Sequence, residues 1–296
     1  MGTAVYQAGR IKRRRRTADE IAQLEEQILE VLKQDHPQSV RHVFYRMTNP
    51  RLAEYVEKSD DGYDQVQYLC LKLRRNERLP YDWITDSTRR GYFTNTYQGA
   101  ADFLRNVTSL YRADLWQQSD SYCEVWVESR SIAGVIQDDC EELAVSLYPA
   151  GGFSSVTLAY EAAQQINEIS EDKFVVIFYI GDYDPAGVLI DVSIEKELRR
   201  HLDPEINLDF RRIAITPGQI KWYDLPTKPR KKTERRALHI KRTVEAEAMP
   251  AGTLRQLLRE QIESLLPGRA LEVAKIAEES ERAYLNLLAK RAERRQ

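Results

Sequence analysis

Phe174-Val175-Val176-Ile177-Phe178-Tyr179-Ile180 is followed directly by Gly181-Asp182-Tyr183-Asp184-Pro185-Ala186-Gly187. Seven consecutive apolar residues, rich in β-branched and aromatic types, read as a strand buried on both faces. Pro185 and Gly187 end that strand and turn the chain. Asp182 and Asp184 stand two apart at its end, so their carboxylates project to one side. Like charges held that close repel, and a hard cation with oxygen ligands, magnesium above all, relieves the repulsion. Metal sites of this kind commonly handle phosphate.

A chain of 296 residues has room for one large or two modest domains with real cores. No apolar run approaches the ~18 residues of a membrane span. The basic N-terminal cluster has no apolar segment behind it, so no secretory leader and no membrane partner are expected. Cys70, Cys123 and Cys140 are odd in number and lack metal-ligand spacing, which suits a reducing, cytoplasmic setting.

The net charge of −2 conceals an uneven distribution. Residues 1–100 carry 17 Lys/Arg against 14 Asp/Glu, residues 101–200 carry 7 against 18, and residues 201–296 carry 20 against 14. An acidic middle holding the Asp pair lies between two basic ends, and local basic surface is what sets affinity for phosphate. Each single charge run also reads as an ordinary solvated face.

Lys12 to Arg16 form a basic arm, residues 1–16. Thr17-Ala18-Asp19-Glu20 is a capping box opening a helix whose apolar face is Ile21, Leu24, Ile28, Val31 and Leu32. Ser39 caps a second helix with Val40, Val43, Phe44 and Met47 inward and Arg41 and Tyr45 together on its polar side. A third helix is expected from about Gly62 to Arg78, carrying Lys72, Arg74, Arg75 and Arg78, and Leu79–Ile84 reads as a short strand. Three helices and an extended piece suggest a winged helix-turn-helix with the basic third helix as the groove element. Lys72, Arg74, Arg75, Arg78 and Arg89 are therefore candidate DNA contacts. The segment from Gly91 to Gln118 reads as a partly helical connector.

Strands are expected at Tyr122–Glu128, Phe174–Ile180 and Arg212–Thr216, alternating with helices at about Ser131–Leu147, Leu158–Ile166 and Val188–Leu202. That alternation implies a mostly parallel sheet, with ligands at the carboxyl ends of its strands. Glu128 and the Asp pair both fall at such ends. Residues 217–243 lack periodicity and are basic, with Trp222 and Tyr223 nearby, so Lys231 and Lys232 join the candidate DNA contacts, a solvated linker being the other reading. Residues from Thr253 to Arg295 read as helix, broken near Pro267-Gly268.

Val125-Trp126-Val127-Glu128, followed by Asp182-x-Asp184-Pro-x-Gly, resembles the Toprim fold of topoisomerases, primases and some nucleases. In that resemblance Glu128, Asp182 and Asp184 hold Mg2+; Asp191 is a weaker addition. Ser39-Val40-Arg41-His42-Val43-Phe44-Tyr45-Arg46 resembles the motif of the topoisomerase VI A subunit and the related meiotic break-forming transesterase. There an Arg and, four residues on, a nucleophilic Tyr sit in a winged-helix domain ahead of Toprim. The stretch Glu245-Ala246-Glu247-Ala248 is similar, more loosely, to the post-Toprim segment of the same group. The resemblance implies an α/β chain with a CAP-like winged-helix domain over residues 17–118. A Rossmann-like Toprim domain with C-terminal helices would cover residues 119–296.

It also implies a chemistry. A tyrosine hydroxyl is a poor nucleophile near its ordinary pKa of ~10, and Arg41 is placed to stabilise the phenolate or the phosphate. Attack by Tyr45 on double-stranded DNA would leave a phosphotyrosyl bond that permits resealing. By resemblance Tyr45 works with the Toprim site of its partner in a homodimer, and the protein is nucleoid-associated. The chain lacks a glycine-rich nucleotide-binding motif, so strand passage would require a separate ATPase B-type subunit. Its length brings it nearer to small stand-alone "mini-A" relatives of mobile elements, or to the Toprim subunit of plasmid-defence nucleases, where water replaces tyrosine. A catalytically silent DNA-binding module is the reading from a different class.

Overall fold

The structure is a computed structural model that describes residues 16–85, 94–151, 156–170, 173–230 and 234–294. Arg89, Lys231, Lys232 and most of the basic arm lie outside the described residues. The chain is α/β, with a four-stranded parallel sheet and a helical C-terminal region.

Three helices come first: α1 (Ala18–Gln34), α2 (Val40–Met47) and α3 (Asp60–Arg75). The expected capping box opens α1, with the Thr17 hydroxyl accepting from the Glu20 N–H at 3.2 Å and Glu20 accepting from the Thr17 N–H at 2.7 Å. Ser39 caps α2 through the His42 N–H. Ser59 caps α3 at the Gly62 N–H, so that helix starts earlier than its apolar spacing suggested and stops at Arg75. Leu79–Ile84 is not a strand: Tyr81–Trp83 form a 3₁₀ turn, and Ile84 makes a single bridge to Gln38. Pro80 and the one-bridge pairing leave no ladder to propagate.

The connector contains α4 (Ala100–Thr108). The sheet consists of β1 (Ser121–Val127), β2 (Ser146–Pro149), β3 (Phe174–Ile180) and β4 (Leu208–Ala214), in the order β2-β1-β3-β4. β1 pairs with β3 from Ser121↔Phe174 to Val127↔Ile180, so both strands end at the same level. Crossover helices α5 (Arg130–Glu142), α6 (Val156–Ile169) and α7 (Gly187–His201) make the parallel order possible. β2 replaces the C-terminal part of the helix expected to reach Leu147, and β4 starts four residues earlier than the apolar run Ile213–Ile215 implied.

Alternate side chains of the central strands feed two cores, as the two-residue period requires. Val125, Val127, Val176 and Phe178 pack in one cluster with α5, with α9 (Ala251–Glu263) and with the buried faces of α1, α2 and α3. Trp126, Ile177 and Tyr179 pack on the other side with Ala159, Ala163 and Ile166 of α6 and Ile190, Ile194 and Leu198 of α7. Beyond β4 come α8 (Pro217–Trp222), an antiparallel pair of two-residue strands, β5 (Lys228–Pro229) and β6 (Arg242–Thr243), and a 3₁₀ turn at Ala246–Ala248. This turn packs against α2. The last helix, α10 (Ala270–Glu293), lies along α4. Among the described residues no helix is long and apolar enough to cross a membrane.

Candidate active site

Because β1 and β3 end level, Glu128 and Asp182 meet at the carboxyl edge of the sheet. The Asp182 N–H donates to Glu128 Oε2 at 3.0 Å. Asp182 Oδ1 accepts from the Ala246 N–H at 2.8 Å, which ties the 3₁₀ turn to the edge of the sheet. Burial pushes the Asp182 carboxyl well above the usual carboxylate range, and the charges of Glu247 and Glu128 push it further. Burial likewise raises Glu128, although the N–H of Asp182 opposes it. This is the electrostatic state that a cation would relieve.

The third expected carboxylate has a different post. Asp184 Oδ1 accepts from the N–H groups of Ala186 and Gly187, at 2.8 and 2.6 Å, and so occupies the N-terminus of α7. Asp191 pairs with Arg212 at 2.6 Å and does not add to the cluster. Arg212 donates also to the carbonyls of Gly181, Asp182 and Gly187, and thereby fixes the turn that carries the Asp pair.

A pocket of about 490 Å³ opens at this edge, lined by Arg41, Glu128, Ser129, Arg130, Ser131, Gly151, Asp182 and Glu247. Glu247 is buried, and its Oε1 accepts from both Ser129 Oγ and Ser131 Oγ at the start of α5. The sequence signal for it is the spacing: Glu245-x-Glu247 follows a strand as Asp182-x-Asp184 does. Ser129, Arg130 and Ser131 carry no signal of their own beyond their place after β1. Among the described residues no three His, Cys, Asp or Glu side chains stand close enough to hold a metal ion as they are. The donors are nonetheless hard oxygens of the kind magnesium takes, and Glu128 and Asp182 each have only one oxygen engaged by a backbone N–H.

Arg41 and Tyr45 do not share a polar side of α2, contrary to what their spacing predicts: Arg41 is half-exposed, whereas Tyr45 is buried with Val43, Phe44 and Met47 in the core, and the two open in different directions. Arg41 reaches the carboxylate pocket and pairs with Glu245 at 2.5 Å. Tyr45 is buried and lines a neighbouring cleft of about 590 Å³ with Arg46, Thr48, Tyr223 and Pro226. Its hydroxyl makes no hydrogen bond of good geometry. Burial, and then the adjacent Glu245 carboxylate, push the phenol up, so Tyr45 is a neutral phenol in this state.

On α3, Lys72 and Arg78, just beyond its end, both pair with the buried Glu25 at 2.5 and 2.8 Å, and Arg74 donates to the carbonyls of Tyr81 and Ile84. Arg75 is exposed. His42, which a sequence reading could cast as a base, is buried beside Ser39, and burial lowers it to about 3. No family model, no curated protein and no solved structure matches the chain.

Proposed function

We propose that this protein is a magnesium-dependent DNA-cleaving transesterase of the topoisomerase VI A-like type, with Tyr45 as nucleophile. In this reading α1–α3 are the winged-helix unit, and the β2-β1-β3-β4 sheet is a Toprim domain. The observation that carries it is the presence of Arg41, from a helix 87 residues upstream of Glu128, in one pocket with Glu128 and Asp182. A guanidinium facing two carboxylates and the start of α5 suits a phosphodiester: cations and N–H groups for its oxygens, carboxylates for a metal. Glu128 and Asp182, with Asp184 behind them, would hold Mg2+, which when bound supplies charge for the phosphate and the departing oxygen. Arg41 would stabilise charge building on the phosphate, and Arg212 would hold the Asp turn in register.

Tyr45 opens away from the pocket of its own chain, which supports cleavage shared between two copies in a homodimer on duplex DNA. A separate ATPase subunit would be needed for strand passage. The burial and high pKa of Tyr45 equally favour a second reading, in which metal-activated water cuts and Tyr45 serves only structure.

Incubation with duplex DNA and magnesium, followed by denaturation, tests this. DNA left covalently on the wild type and absent from Tyr45→Phe is the expected result. Free cleaved ends that persist in Tyr45→Phe would transfer the reaction to water, and DNA binding without cleavage in wild type would leave a silent binding module.

A further inference from the structure

Beside Tyr45, cations from three separate parts of the chain gather about the Glu245 carboxylate. Arg41 Nη1 lies 2.5 Å from Glu245 Oε2, and Lys228 Nζ lies 2.9 Å from Glu245 Oε1, so one carboxylate is gripped at both oxygens. Lys58 Nζ stands over the Tyr45 ring, 4.8 Å from its centroid, and donates to the Pro226 carbonyl. Burial lowers Lys58 to about 8, and repulsion from Lys228 and Arg242 adds to this. Three cations, from α2, from the loop before α3 and from β5, thus gather about Glu245, next to a buried phenol whose oxygen makes no hydrogen bond of good geometry. The Glu245 carboxylate, which pairs with two of them, arrives on the segment that also ties Ala246 to Asp182.

We propose that Arg41, Lys58 and Lys228 form a subsite for a backbone phosphate of DNA beside Tyr45, and that the Glu245 carboxylate occupies it in the free protein. A carboxylate and a phosphodiester are both anionic oxygen acceptors, and a guanidinium–ammonium pair accepts either. The phosphate displaces Glu245, and Arg41 changes partner without leaving the pocket it shares with Asp182. Neutralising Glu245 removes the competitor and leaves the cations. The assignment rests on the proposed DNA reaction for its ligand, though not for its geometry.

The test is fluorescence anisotropy with a short labelled duplex across a salt series, with melting curves to confirm folding. Glu245→Gln should bind the duplex several-fold more tightly than wild type, a change that a merely structural role would not produce. Lys58→Ala and Lys228→Ala should each weaken binding and reduce the logarithmic salt slope by about one. Adding Lys228→Ala to Glu245→Gln should remove the gain. Equal or weaker binding by a folded Glu245→Gln, or unchanged slopes in both lysine variants, overturns the subsite. Should Glu245→Gln fail to fold, the two lysine slopes decide. Inorganic phosphate is the second probe: a gain for the free ion with none for the duplex overturns the assignment to a polynucleotide. A tighter Glu245→Gln without any tyrosyl adduct in wild type would leave the subsite standing and remove the transesterase. An adduct in wild type without that tightening would do the reverse.

Discussion

Arg212 on β4 reaches across to Asp191 on α7 at 2.6 Å and, with its remaining N–H groups, holds the carbonyls of Gly181, Asp182 and Gly187. One guanidinium therefore ties the end of β3, the Asp turn and the first turn of α7 together. Both partners are largely buried, at 15% and 14% side-chain exposure, so truncating one strands the other. Arg212→Ala is expected to cost about 3 kcal/mol, read by urea unfolding. Arg212→Lys should recover only part of that, because an ammonium cannot present a planar fork to several acceptors at once. Full recovery would reduce Arg212 to a point charge.

Glu124 gives the fold a pH dependence unrelated to the site. It is fully buried on β1, accepts from Trp126 Nε1 at 2.8 Å and Tyr122 Oη at 3.0 Å, and burial raises it to about 7 from an ordinary 4.5. A carboxyl raised in the folded state keeps its proton while the unfolded chain gives its own up. Its contribution is therefore complete below about 4.5 and falls as pH rises to about 7, by about 3 kcal/mol in all. His42 acts in the opposite sense. Buried neutral at about 3, it costs stability as pH drops below 6.5 and the unfolded chain takes up a proton. Glu124→Gln should flatten the decline between pH 5 and 7 seen in denaturant titrations; an unchanged slope would show Glu124 ionising normally.

The sheet edge was legible because its signals are local. Seven apolar residues ending in Gly181-Asp182 specify a buried strand and its stop, and the ladder then sets Glu128 beside Asp182. What sequence could not show is what depends on contacts far along the chain. β2 has four residues of mixed exposure and carries no apolar run, so nothing in it marks a stop to the helical period before it. The basic residues around α3 read as a free groove-binding set, yet Glu25, on another helix, engages two of them. Asp184 matched a ligand motif, but the same residue also suits the start of α7, where it is found. Lys58, Lys228 and Glu245 converge only because the segment from Pro226 to the Ala246–Ala248 turn comes back onto α2 and the loop before α3.

Glu25 makes the role of α3 measurable. It is 4% exposed and holds both Lys72 and Arg78. Glu25→Gln keeps an acceptor and loses the charge, and should cost about 1–2 kcal/mol. If α3 meets DNA, the released cations should tighten duplex binding and steepen its salt dependence. Loss of stability with no change in binding would confine Lys72 and Arg78 to holding α1 against α3.

Asp182 should couple magnesium to stability. Because its folded pKa is raised, ionising it at neutral pH works against the fold, and Asp182→Asn should be more stable than wild type without metal. With magnesium the order should reverse: wild type gains about 2.7 kcal/mol at a concentration 100 times the dissociation constant, and the variant gains little. Thermal melts with magnesium or EDTA measure both. Equal magnesium shifts in the two proteins would remove Asp182 from the ligand set.

Gly187 and Gly218 test whether the Asp turn is set by close backbone packing. Both lie in the first turn of a helix, where alanine is ordinarily the better residue by about 1 kcal/mol. A Cβ on Gly187 would stand 2.3 Å from the Asp182 carbonyl oxygen, which is backbone and already accepts from Arg212, so it cannot yield without moving the turn. On Gly218 the nearest atom is Thr216 Oγ1 at 4.0 Å. Gly187→Ala should therefore destabilise by about 2 kcal/mol despite its helical preference, and weaken the magnesium shift because Asp182 moves with the turn. Gly218→Ala should stabilise by about 0.5 kcal/mol and leave that shift unchanged. Equal behaviour of the two variants would mean that the backbone between Asp182 and Gly187 is free to relax and does not set the carboxylates.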